Sequence, residues 1–310
     1  MGGKEHDLVI IGGGAAGLTA GIYGQRSKLK TLLVEKLPIM GGQIVYSEKV
    51  ENYPGFSEGI SGIDLTALME AQARGFGLEI KTGEVIGLKN DVEIKRVLCE
   101  GEEYLCRAVI IATGASPNRL GLAGEERFIG KGISFCGTCD GFFFKDLDVI
   151  VVGGGDTAID EAIYLTRYAQ KVYVVHRRNA LRATKILQER ALKNEKIEFI
   201  WDTVVDRIEG DSSVEKVVLK NVKTGATWEK PISGLFVFVG IKPNTKFLKG
   251  IVELDDQGFV VTNENLETSV PGIFAAGDVR KKLLRQLSTA VGDGATAAFA
   301  VEKYLENCFG

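Results

Sequence analysis

The chain has 310 residues, 45% hydrophobic and 25% charged, which is the balance of a globular protein with length enough for two cores. Its 38 Lys and Arg against 41 Asp and Glu leave a net charge of −3, which argues against a general nucleic-acid binder or a polybasic membrane-surface protein. Glycine is the outlier, 39 residues or about one in eight, clustered beside apolar runs with no collagen period. The apolar run from Leu8 is broken by Gly12, Gly13, Gly14, Gly17, Gly21 and Gly24 and has no basic flank. Neither a membrane span nor a secretory leader is expected, and the expected location is cytoplasmic. Five cysteines, an odd number in a chain this long, do not suggest a disulfide-stapled fold.

The first predicted elements are a strand, a glycine turn and a helix, Val9-Ile10-Ile11-Gly12-Gly13-Gly14-Ala15-Ala16-Gly17. The pattern returns 141 residues later as Ile150-Val151-Val152-Gly153-Gly154-Gly155-Asp156-Thr157-Ala158. This is the opening of a dinucleotide-binding unit, present twice. Gly12 and Gly153 permit the tight turn, Gly14 and Gly155 let a pyrophosphate approach the backbone, and Gly17 and Ala158 let the helix pack on its strand. The helix N-terminus then offers free N–H groups to phosphate.

The second strand of each unit distinguishes the nucleotides. Thr31-Leu32-Leu33-Val34-Glu35 ends in an acid, which accepts hydrogen bonds from a ribose diol and repels a 2′-phosphate. The matching place in the second copy reads His176-Arg177-Arg178, with Arg182 following. Guanidiniums suit a 2′-phosphate, so FAD or NAD is expected at the first site and NADP(H) at the second. A solvated basic turn is the alternative for Arg177 and Arg178.

Both units end alike, through Ala112-Thr113-Gly114-Ala115-Ser116-Pro117-Asn118 and through Val239-Gly240-Ile241-Lys242-Pro243-Asn244. The 66 residues after Asn244 are few for an independent domain, and they hold one more strand with a glycine exit, Gly272 to Asp278, and a helix. The second unit is therefore read as inserted in the first: residues 1–117 and 245–310 form one domain and 118–244 the other. The two crossings would make a hinge, a single rigid body being the alternative.

Cys136-Gly137-Thr138-Cys139-Asp140-Gly141 lies just before the second glycine turn. Such a pair can close a disulfide or hold half a metal site, but the chain offers poor candidates for the other half, so redox chemistry is favoured and no metal is expected. One thiolate attacks an incoming disulfide and the other resolves it. Asp140 could shuttle the proton, or simply cap a helix or turn. Cys99 and Cys106 read as packed side chains and Cys308 as a bystander.

Together these motifs resemble the low-molecular-weight thioredoxin reductases over essentially the whole chain. Gly41-Gly42-Gln43, Glu51-Asn52-Tyr53-Pro54-Gly55, Gly277-Asp278 and Arg285-Gln286 add to the glycine turns, the cysteine pair and His176-Arg177-Arg178. The resemblance implies an α/β fold of two Rossmann-like three-layer ββα domains, with FAD in the first, NADPH in the second, and a homodimer. It implies electron flow from NADPH to FAD, to the Cys136–Cys139 disulfide, and on to thioredoxin or a thioredoxin- or glutaredoxin-like protein. By the same resemblance Glu35 holds the adenosine ribose, Val85 meets the adenine, and Gln43 and Asn52 border the flavin. Asp278 holds the ribityl–phosphate arm, and Arg285, Gln286 and Leu287 approach the isoalloxazine. Ala15, Gly42, Thr113, Gly114 and Gly277 complete the FAD set. Asp156, Thr157, His176, Arg177, Arg178 and Arg182 join the second glycine turn around NADPH. Cys139 matches the thiol facing the flavin, Cys136 the one that attacks thioredoxin, and Asp140 the acid–base group. Gly137 departs from the commoner alanine and is expected to loosen the loop. A flavoprotein serving a peroxiredoxin and a flavin redox sensor that does not turn over are the rival readings; a related ferredoxin–NADP reductase would lack the cysteine pair.

Overall fold

A computed structural model describes residues 4–46, 50, 52–91, 93–135 and 137–309. The chain divides into two compact units, Met1–Ser116 with Lys242–Gly310, and Pro117–Ile241.

The first unit opens with strand β1 (Lys4–Ile11), helix α1 (Ala15–Arg26), strand β2 (Thr31–Glu35) and helix α2 (Gly62–Gly75). Strands β3 (Glu79–Thr82), β4 (Val85–Asn90), β5 (Lys95–Cys99) and β6 (Glu102–Ile111) follow. Strand β7 (Ala115–Pro117) leads out of this unit. The second unit contains β8 (Ile133–Ser134), the short helix α3 (Gly137–Asp140), β9 (Asp148–Val152), α4 (Asp156–Leu165), β10 (Lys171–Val175) and α5 (Lys185–Leu192). It continues with β11 (Ile197–Ile200), β12 (Thr203–Glu209), β13 (Lys216–Asn221), β14 (Thr227–Pro231) and β15 (Gly234–Val237). Strand β16 (Ile241–Pro243) leads back, and β17 (Ile273–Ala275) and α6 (Leu287–Phe309) complete the first unit.

The first sheet runs β3-β2-β1-β6, and the long β6 carries β17 on its C-terminal half and the antiparallel β5-β4 hairpin on its N-terminal half. Period-two alternation in β1 explains the layering. Leu8 and Ile10 pack with α1, α2 and α6, while Val9 and Ile11 lie in the cluster that holds Leu88 and Val97 of the hairpin and Tyr104 of β6. All four are almost completely buried, each worth about 1.5–3 kcal/mol against an exposed reference.

The second sheet, β11-β10-β9-β15-β8, is parallel throughout the described pairings and repeats the scheme. Val149 and Val151 face α4 and α5; Ile150 and Val152 face the β12-β13-β14 antiparallel sheet. Both halves are therefore three-layer ββα units, the second inserted in the first. The unit boundaries fall at 116/117 and 241/242, a few residues from those read in the sequence. The chain crosses through β7 and β16, which pair with each other as a two-stranded sheet. No helix of the described residues is long and apolar enough to cross a membrane.

Candidate active site

The first glycine turn is shaped by backbone crowding. Gly12 has φ +110°, and a Cβ there would overlap the Ala112 carbonyl. A Cβ on Gly17 would overlap the Gly12 carbonyl, so glycine is what brings α1 onto the turn. A Cβ on Gly14, the N-cap of α1, would make only an ordinary contact with the Gly41 carbonyl at 4.0 Å, and one on Gly114 would meet nothing. Ala15 starts the helix, buried. The Gly41 N–H donates to the Gly13 carbonyl at 2.7 Å, which sets Gly42 beside Gly14, with Gln43 exposed next to it. Glu35 ties the loop to itself: Oε2 accepts the Gly13 N–H at 2.6 Å and Oε1 the Leu37 N–H at 3.0 Å.

Residues far apart in sequence meet here. Asn52 Nδ2 donates to Gln286 Oε1 at 2.9 Å. Thr113, expected near the cofactor, commits its hydroxyl to the Asn244 carbonyl at 2.9 Å, and Asn244 Nδ2 returns a bond to the Thr113 carbonyl. Val85 opens β4 beside an irregularity in its pairing with β5. Arg285 lies 4.0 Å over the Phe259 ring and donates to the carbonyls of Asp278 and Arg280. Leu287 begins α6.

Asp278 is the exception to this satisfied network. Its Oδ1 is inaccessible and has no hydrogen-bond partner among the described residues. Burial pushes its carboxyl above the ordinary range, against the pull of Lys282 and Arg285. A buried acceptor without a donor is costly, and a bound group supplying hydroxyls would satisfy it. The orphaned acceptor and the uncrowded Gly14 and Gly114 positions fit the arm and phosphates of a flavin nucleotide.

The second turn repeats the first with different chemistry. Gly153 admits no side chain, because a Cβ would meet the Phe238 carbonyl and the Ala158 methyl. Gly155 caps α4 and is open. Asp156 Oδ1 accepts the Thr184 N–H at 2.6 Å, and the Arg182 N–H donates to the Gly154 carbonyl at 2.7 Å, so the arginine loop is fastened to the turn. Thr157, next on α4, is exposed. Arg177, Arg178 and Arg182 are exposed and form no ion pair among the described residues. His176 is 5% exposed, and its ring fills the space over Gly154, edge-on to Trp201. Burial, reinforced by the three arginines, lowers its pKa against a backbone hydrogen bond at Ala180. It supports the turn from below while the arginines face outward.

Cys136, like Glu51, lies outside the described residues. Gly137, Cys139 and Asp140 belong to α3. Asp140 is half-buried and is the N-cap of the following turn, yet its side chain makes no capping hydrogen bond. Gly137 packs closely on α4: a Cβ there would meet the Glu161 carboxylate, the far end of a flexible side chain, and come near Leu165. Gly141 likewise lies against Leu165 and Tyr168 of the α4 region. Phe142 and Phe143, just beyond, are 66% and 74% exposed. Burial pushes the Cys99 thiol up to about 11 and Cys106 to about 12, whereas Cys308 is exposed. The described residues contain no cluster of three or more metal-ligating side chains.

The profile of the pyridine nucleotide-disulphide oxidoreductases matches residues 6–294. A thioredoxin reductase from Peptoclostridium acidaminophilum is 47% identical over 310 residues, covering 98% of each chain. One from Bacillus subtilis is 45% identical over 304 residues, covering 98% of this chain and 96% of its own. The solved thioredoxin reductase of Lactococcus lactis superposes with a TM-score of 0.90 at 45% identity, over 97% of this chain and 99% of its own. The chain belongs to the thioredoxin reductases.

Membership in this family implies a flavin and a pyridine nucleotide. The structure also brings out a residue that reading the motifs alone misses. Asp293 is 9% exposed, and its carboxylate accepts the Gly277 N–H at 3.0 Å, Arg280 Nε at 2.8 Å and Lys282 Nζ at 2.7 Å. The signal was present as Gly292-Asp293-Gly294, an acid between glycines inside an apolar helical run. Gly294 is needed because a Cβ there would overlap the Ala16 carbonyl where α6 meets α1.

Proposed function

We propose that this chain reduces the disulfide of a thioredoxin or thioredoxin-like protein with NADPH, through FAD bound to the first unit and the Cys136–Cys139 pair. The observation that carries the reading is the contrast between the two turns: among the described residues, an acid and a buried Asp278 oxygen without a donor at the first, three arginines without an ion pair at the second. When bound, NADPH would supply the hydride and FAD would accept it and return electrons to sulfur.

The chain's own residues do the rest. Glu35 retains a lone pair on each oxygen for a ribose hydroxyl, and Asp278 Oδ1 awaits a donor. Arg177, Arg178 and Arg182 offer charge-assisted bonds to a 2′-phosphate. In the reduced pair one thiolate attacks a sulfur of the partner's disulfide. That S–S bond breaks, a mixed disulfide forms, and the departing sulfur takes up a proton. The second thiolate then attacks the mixed disulfide, re-forming the Cys136–Cys139 bond and releasing the partner as a dithiol. Asp140, which caps nothing, moves the proton. Exposed Phe142 and Phe143 give an incoming protein apolar surface next to the pair. A homodimer and a cytoplasmic location complete the reading; light scattering tests the first.

NADPH added to the yellow protein should bleach the flavin, and thioredoxin with a disulfide reporter should then sustain turnover. A colourless polypeptide that FAD does not reconstitute, or a flavin that bleaches once without turnover, would contradict the proposal.

A further inference from the structure

Segment 277–285 and Asp293 of α6 bring two carboxylates together with three of the segment's cations, Arg280, Lys282 and Arg285. Arg285 is occupied by backbone carbonyls and the Phe259 ring. The other two cations both go to Asp293. Arg280 grips it with Nε on Oδ2 at 2.8 Å and Nη2 on Oδ1 at 3.2 Å, and its Nη1 reaches Thr262 Oγ1 at 3.0 Å. Lys282 Nζ lies 2.7 Å from the same Oδ2 that accepts the Gly277 N–H. The other carboxylate, Asp278, is the next residue along from Gly277, and its Oδ1 has no donor among the described residues.

The Lys282 side chain is only 7% exposed, so an amine released from Asp293 has little water to turn to. Asp278 lies four residues away in the chain and is the one carboxylate within residues 277–285. We infer that Asp293 is a positioning residue for the flavin site: by holding Lys282 it keeps Asp278 open to a polar group of the cofactor, which the lysine would otherwise cover and neutralise. The inference rests on the FAD reading above and adds to it the residue that keeps the acceptor available. The charges agree. Burial alone would raise the Asp293 carboxyl, yet hydrogen bonds from Arg280 and Lys282 hold it below the ordinary range.

The test is FAD affinity of the apoprotein, measured by quenching of flavin fluorescence, with apoprotein melting temperatures as a separate readout. Asp293→Asn should raise the Kd for FAD roughly tenfold or more, within the range for groups sharing one hydrogen-bonded network. Adding Lys282→Met to that variant should restore most of the affinity, because the competitor is gone. Lys282→Met alone should bind FAD within about threefold of wild type, since Arg280 still neutralises Asp293. Wild-type affinity in Asp293→Asn, or equal weakness in single and double variants, would overturn the inference. Should Asp293→Asn not fold, Lys282→Met decides: a tenfold loss there means structural support, not sequestration. Wild-type protein that binds no FAD would instead refute the underlying cofactor reading.

Discussion

Replacing Arg177 and Arg178 by glutamine tests the second nucleotide site without touching the fold. Both side chains are exposed and neither has a carboxylate partner among the described residues, so no internal pair is broken. The loop is held by its backbone, through the Asp202 N–H to the Arg178 carbonyl and the Arg182 N–H to Gly154. A unit-charge pair about 4 Å apart is worth about 1 kcal/mol in water and about 4 kcal/mol at an effective dielectric near 20. Exposure places each arginine near the lower figure. Losing two of them against a phosphate of nearly two charges should cost about 1.4–2.8 kcal/mol, a 10- to 100-fold rise in KM for NADPH. The adenosine phosphate takes no part in hydride transfer, so kcat should hold. NADH carries no such phosphate, and its KM should move less than about threefold. Steady-state rates with both nucleotides, at low and at high salt, measure this. High salt should shrink the wild-type preference for NADPH. Equal losses with NADPH and NADH, or no loss with NADPH, would refute the reasoning.

Gly137→Ala should cost the second unit less than about 1 kcal/mol, because the methyl meets the movable end of Glu161, and Glu161→Ala should remove that cost in a double-mutant cycle of thermal unfolding. Additive losses would contradict that contact. In the folded protein near pH 8, the thiols of Cys106 and Cys99, raised to about 12 and about 11, should resist alkylation, while exposed Cys308 should label; mass spectrometry of the labelled chain checks the order. His176 has a folded pKa below its unfolded value near 6.5, so the unfolded chain binds its proton first. Its contribution is present above pH 6.5 and should be lost as pH falls through the folded value. Melting temperatures of wild type and His176→Gln should therefore converge as pH drops from about 7.5 to 5.5.

Much of the fold was legible because its signals are local. The glycine turns declare themselves through steric necessity, as Gly12, Gly17 and Gly153 each abut a backbone carbonyl. The repeat then sets both sheets, since alternation in β1 and β9 decides which face meets helices. The exits at Asn118 and Asn244 mark the crossings, although Thr113 turned out to serve Asn244 rather than stand free. What stayed hidden depends on packing between distant segments. Gly137 looks like a loosening substitution until Glu161 is seen against it. His176 shares a motif with two arginines, but it is buried at the end of β10 while they project outward. Asp293 sits thirteen residues beyond Arg280, a spacing with meaning only after α6 turns back over the segment.

The relay through sulfur is tested most directly by anaerobic titration with NADPH and an excess of reductant, comparing wild type with the variant carrying Cys136→Ser and Cys139→Ser. Wild type should take up four electrons per chain, for one flavin and one disulfide, and pass them to thioredoxin. The double variant should bleach with two and leave thioredoxin oxidised. A variant that still takes up four electrons, or still reduces thioredoxin, would contradict the account.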